Sequence, residues 1–222
     1  MLRRSTRGKV EHPVSFLYGG ATVVEDTFKE TWERLAQYRS TFEAPVREQS
    51  ESYNCVKYAA WTAMGCLLGD VSEPAFVARS KGPTKGMSME DLYWSDAVIR
   101  EMSKSGISFR HRRASDGGLG NKAGFLKGQL CGGNCVAVLG LQISMFDDPR
   151  THVRHRGVKR EGHTAMIDHS VVCLGWVRVA GEEYFLLWDT QDTADLGYKD
   201  TGLSLLPASS LDFHEIVVLK SE

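Results

Sequence analysis

The stretch Gln49-Ser-Glu-Ser-Tyr-Asn-Cys55-Val-Lys-Tyr-Ala-Ala-Trp-Thr-Ala-Met-Gly-Cys66-Leu-Leu-Gly69 decides the fold. From Cys55 onward the apolar residues Val56, Ala59, Ala60, Ala63, Met64 and Leu67 recur in steps of three and one, the spacing of a buried helical face. Gly69 follows as a residue that can take the left-handed conformation closing a helix. The spacing predicts a helix that starts at Cys55, with the thiol in its first turn. Unpaired backbone N–H groups and the helix dipole favour negative charge there. The thiolate is the nucleophilic form of cysteine, and a helix N-terminus together with an imidazolium lowers its pKa from about 8.5 to roughly 3.5–7.5. Cys55 has the first of those features by its position. A histidine has to be brought in from elsewhere, with a carboxylate or amide to orient it.

Working outward, the second half of the chain reads as strands over 135–143, 169–179, 183–189 and 215–219, with Ala180-Gly-Glu182 as a turn. His169 opens one strand of the resulting hairpin and Asp189 closes the next, so the hairpin sets the two side by side. Asp168 and Asp192 stand close enough in sequence to compete with Asp189 for the orienting role. The first half reads as helices. One spans 27–42, opened by the capping box Thr27-Phe-Lys-Glu30, carrying Phe28, Trp32, Leu35 and Phe42 on one face and ended before Pro45. Another spans 89–104, capped by Ser88 with Asp91 three residues on, and a short one covers 123–130. Residues 107–111 read as extended, and 116–120 as a Gly-rich turn. Helices precede strands, so the expected fold class is α+β: N-terminal helices and a buried Cys-bearing helix packed on a C-terminal antiparallel β-sheet.

Composition sets the outer bounds. The chain has 222 residues, 42% of them hydrophobic and 25% charged, which suits one globular domain with a sizeable core. Residues 1–26 read as a basic N-terminal arm and 27–222 as a single catalytic domain. A net charge of −1 gives no general pull toward nucleic acid or an anionic membrane, and neither is expected as a partner. The apolar run at 136–143 is far shorter than the roughly 20 residues a membrane-crossing helix needs. The basic start Met1-Leu-Arg-Arg-Ser-Thr-Arg7 has no apolar segment after it, so no Sec signal peptide is expected. Five cysteines at irregular spacing make a poor disulfide framework and fit a reducing compartment. The expected location is therefore a cytoplasm, or a host cytosol reached by a non-classical route.

Three segments resemble the papain-like cysteine peptidase superfamily, in the order Cys, His, Asp. Gln49 stands six residues before Cys55, His169-Ser-Val-Val-Cys-Leu-Gly-Trp176 is a histidine followed by an apolar strand, and Tyr184-Phe-Leu-Leu-Trp-Asp189 is a strand ending in an acid. Gln129-Leu-Cys-Gly-Gly-Asn-Cys-Val-Ala-Val-Leu-Gly-Leu141 is similar to the superfamily's strand after a small-residue turn. The look is nearest to bacteriocin leader peptidases and to compact effector and viral leader proteases, although Val56 follows Cys55 where papain's own signature differs. The resemblance implies a papain-like fold, a thioester mechanism with Cys55, His169 and Asp189 as catalytic residues, Gln49 in the oxyanion hole, a protein or peptide as substrate, and no metal or cofactor. It also suggests a bacterial effector or toxin.

The same residues leave other readings open. A transglutaminase, deamidase or acetyltransferase uses the same Cys, His, Asp order, and an inert papain-like binding module would keep the residues without an ionised thiol. Cys66 and Cys173 read as small buried hydrophobes. Cys131-Gly-Gly-Asn-Cys135, with His152, His155 and His163, has some metal-ligand character but lacks a second matched pair, and reads as a tight turn into a strand. The polar stretch 144–168, rich in Arg and His, reads as a long surface loop held by few anchors.

Overall fold

The computed structural model describes residues 24–25, 27, 29, 55–69, 71–78, 93, 95–117, 119–130, 135–142, 145, 148, 150–153, 168–190 and 203–221. These form an α+β fold built on one sheet. In chain order the elements are β1 (Val24–Glu25), α1 (Cys55–Leu68), α2 (Ala75–Ala78), α3 (Asp96–Lys104), β2 (Ile107–Arg113), α4 (Lys122–Leu130), β3 (Cys135–Gln142), β4 (His152–Val153), β5 (Asp168–Val179), β6 (Glu182–Asp189), β7 (Leu203–Pro207) and β8 (Phe213–Ser221). The sheet runs β2-β8-β3-β5-β6-β7-β4, antiparallel at every step. β1 is the exception: Val24 and Glu25, at the end of the expected arm, pair in parallel with Arg178 and Val179.

α1 starts at Cys55 and packs against β5, β3 and β8. Its stripe is buried as its spacing dictates, and burial extends round the helix to Lys57, Thr62 and Gly65. Gly69 closes it at φ 86° with its N–H donating to the Gly65 carbonyl at 2.8 Å, a conformation other residues reach only with strain. Opposite α1, the run Val136, Ala137, Val138, Leu139 on β3 has no exposed surface, so both faces of this central strand are covered.

Two expectations need revision. The helix over 89–104 is described from Asp96, with Ser95 as its N-cap; the Ser95 hydroxyl accepts from the Val98 N–H at 3.4 Å, and Asp96 adds negative charge to the first turn. A serine side chain competes with backbone bonding in this way, so Ser95 starts a helix instead of continuing one, while Ser88 and Asp91 lie outside the described residues. The described start of the 144–168 stretch, up to Val153, is also better anchored than its polarity suggested, and 154–167 lie outside the described residues. Asp148 accepts from the Arg150 side chain and N–H and from Ser210, Thr151 is buried, and His152 and Val153 pair with β7. The expected helix over 27–42, apart from Thr27 and Lys29, lies outside the described residues.

Candidate active site

β5 and β6 form a hairpin through Ala180 (φ 48°) and Gly181 (φ 85°). Val179 pairs with Glu182 and the register holds back to Gly175 opposite Leu186; it then shifts, so that Cys173 faces Leu187 and Val171 faces Asp189. Leu174 is the extra residue of a β-bulge. Without it Asp189 would face Val172 and point to the opposite side of the sheet. With it, Asp189 shares a face with Val171 and with His169 two residues earlier, as diagonal neighbours within reach of long side chains. His169 Nε2 and Asp189 Oδ1 stand 2.7 Å apart, with side chains 6% and 11% exposed.

α1 delivers Cys55 to this strand end. His169, and to a lesser degree the N–H and hydroxyl of Ser170, lie near enough to pull the thiol's pKa down. Since Nε2 faces Asp189, Nδ1 is the ring nitrogen left for the sulfur. Strand alternation would turn His169 and Ser170 to opposite faces, so a sulfur in reach of both sits at the strand end and not over one face.

The electrostatics follow from these contacts. Burial pushes the Cys55 thiol up, but the hydrogen bond and charge of His169, with the two Ser170 donors, outweigh it, and the net direction is down. Burial pulls the His169 imidazole down, while the Asp189 carboxylate and Cys55 raise it more strongly, to about 10. Each group thus stabilises the charged form of the next, giving a thiolate–imidazolium–carboxylate row. The other described cysteines behave oppositely. Burial pushes Cys66 and Cys173 up to about 12, and raises Cys135 against the weaker opposing pull of Lys220.

Cys55, His169 and Asp189 are therefore brought together. Gln49, Asp192, Cys131, His155 and His163 lie outside the described residues, and Asp168 and His152 are described only as strand residues opposite Gln142 and Leu205. Among the described residues no group of three His, Cys, Asp or Glu side chains could hold a metal ion. Sequence reasoning missed Ser170, although it follows His169 directly, and missed the bulge, for which Gly175 inside an apolar strand was the available signal.

Among solved structures, the chain is similar to digestive procathepsin L2 proteinase from the larval midgut of Tenebrio molitor, at 12% identity over 97% of this chain and 81% of that one, with a TM-score of 0.46. No family model and no curated protein matches the chain. Among the described residues no helix is long and apolar enough to cross a membrane.

Proposed function

We propose that the chain is a papain-like cysteine peptidase acting on a protein or peptide, with Cys55 as nucleophile, His169 as acid and base, and Asp189 as the residue that orients His169. The observation that carries this reading is the 2.7 Å His169–Asp189 pair beside the first residue of α1, with Cys55 alone of the described cysteines having its thiol shifted down, by His169. A buried cysteine with no task drifts the other way, as Cys66 and Cys173 do.

The Cys55 thiolate attacks the scissile carbonyl carbon, and the carbonyl oxygen becomes an oxyanion. Cys55 is the first residue of α1, so its backbone N–H is among the donors with no helical partner and can meet that charge; the papain-like reading assigns Gln49 as the second donor. The His169 imidazolium gives its proton to the departing amine, and a thioester and a new N-terminus result. Neutral His169 then takes a proton from water as the water attacks the thioester. Collapse releases the acid and restores the thiolate beside the imidazolium. Asp189 holds the ring on its Nε2 side throughout, fixing the tautomer and favouring the imidazolium.

The same thioester can be taken by an amine, or formed from a glutamine side chain with loss of ammonia. The test is to incubate the wild-type protein and Cys55→Ala with a cell lysate and to map N-termini and ammonia. New N-termini that depend on Cys55 support the peptidase. Ammonia release or isopeptide bonds without new N-termini move the reading to deamidation or acyl transfer.

A further inference from the structure

β2 ends the sheet. β8 pairs with all of its residues, from Ile107 opposite Ser221 to Arg113 opposite Glu215, and no described strand pairs with its other side. The register runs unbroken and the strand holds no proline, so among the described residues its outer N–H and C=O groups form an open row. The opposite edge offers far less, since β4 is 2 residues long.

Strand alternation puts Phe109, His111 and Arg113 on one face of β2 and Ser108, Arg110 and Arg112, all exposed, on the other. On the first face charge is balanced: Glu215 of β8 lies 3.5 Å from Arg113 and 3.8 Å from His111. The second face has no acid. The cross-strand neighbours of Ser108, Arg110 and Arg112 are Lys220, Val218 and Ile216. Arg113, Arg150 and Arg178 each hold a carboxylate, whereas the guanidinium groups of Arg110 and Arg112 make no ion pair or hydrogen bond among the described residues. Two unpaired cations on one face thus stand beside an open ladder. They repel a second copy of the same edge, because like charges meet across the new pairing. A strand with acidic side chains at alternate positions satisfies both cations and the backbone row together. A nucleic acid could use the cations but not the row.

We propose that the β2 edge binds an extended acidic segment of another protein, which adds to the sheet as a further strand with alternate Glu or Asp side chains opposite Arg110 and Arg112. β2 lies three strands from β5, about 14 Å at the usual strand spacing, so this surface is separate from the Cys55–His169 pair and stands without it. The test uses the full chain carrying Cys55→Ala, so that no probe is consumed, and a labelled octapeptide alternating Glu and Thr. Binding is read by fluorescence anisotropy, and amide hydrogen exchange is followed over residues 107–113. The peptide should bind saturably and slow exchange in β2. Arg110→Glu with Arg112→Glu, at an unchanged Tm, should weaken binding about tenfold or more and should instead favour an octapeptide alternating Lys and Thr. A Glu–Thr peptide N-methylated along its backbone should fail to bind, because it cannot donate to the ladder. Three results would overturn the proposal. The first is no saturable binding. The second is equal binding of the N-methylated peptide or of a thymidine octanucleotide with β2 exchange unchanged, the mark of charge attraction alone. The third is a β2 whose amides are all protected in the free protein, which would mean that the edge is already covered by this chain or by a second copy.

Discussion

Cys55, Cys66, Cys135 and Cys173 are all free thiols in helix or strand, and their surroundings part them. Three meet burial with little or nothing to offset it; Cys55 meets burial plus an imidazolium and two further donors. The pH dependence follows from the directions of the shifts. The Cys55 thiol is shifted down, so the thiolate persists below the ordinary thiol range and is lost only as pH falls through its lowered value. His169 is shifted up to about 10, so the imidazolium is lost as pH rises through that value. Turnover should therefore be bell-shaped, with an alkaline limb set by His169. Asp189→Ala removes the carboxylate that raises His169 and should move that limb to lower pH while reducing turnover by about 10²-fold or more. An alkaline limb that stays in place would show that Asp189 does not hold the imidazolium. Gln49→Ala should cut turnover by about 10²–10³-fold, the usual cost of one oxyanion donor. It should leave the alkylation rate of Cys55 alone, since alkylation builds no oxyanion; unaffected turnover of a good substrate would remove Gln49 from the site.

At the scale of the element, the hairpin and the Cys-bearing helix were legible because each has a clear period. The α1 stripe reads off Val56, Ala59, Ala60, Ala63 and Met64, and β5 and β6 read off two apolar runs around a turn. Register was not legible, because a period of two does not reveal one inserted residue. The bulge at Leu174 supplies it, and it decides whether Asp189 meets His169 at all. Deleting Leu174 should slide β6 by one residue against the start of β5, turn Asp189 away from His169 and abolish turnover in a protein that still shows a strand-rich circular dichroism spectrum. Full activity after that deletion would contradict the register argument. β1, β4 and β7 had no sequence signal strong enough to read: two are two residues long, and β7 is five residues ending in Pro207, which cannot donate to a ladder. Within α1, Met64 is 1% exposed, and Met64→Ala should cost about 2–5 kcal/mol by chemical denaturation. A smaller loss would mean the helix is less tightly packed than its burial indicates.

Over the whole molecule, one end of the sheet collects the chemistry. Asp168, His169 and Ser170 begin β5, Asp189 ends β6, and α1 starts there. The sheet is assembled from pairings distant in sequence; β8 lies between β2 and β3 and joins Phe109 to Leu219 and Val136 to Leu219. A chain shortened to end before Phe213 should therefore fail to fold cooperatively, since β2 and β3 both lose their neighbour. A sharp thermal transition in that truncation would show that β8 is dispensable. The α+β class was readable from the order of elements. The anchoring of residues 148–153 was not, because their anchors, Ser210 and β7, come from about 50 to 62 residues further along the chain.

The central claim is that Cys55 rests as a thiolate held by His169, and the most direct measurement is the rate of iodoacetamide alkylation at each of the five cysteines at about pH 6. Cys55 should react first by a wide margin, and His169→Ala should remove the advantage by taking away the cation beside the sulfur. If Cys131 or Cys135 reacts ahead of Cys55, or if His169→Ala leaves its rate unchanged, Cys55 is a core residue and the account is wrong.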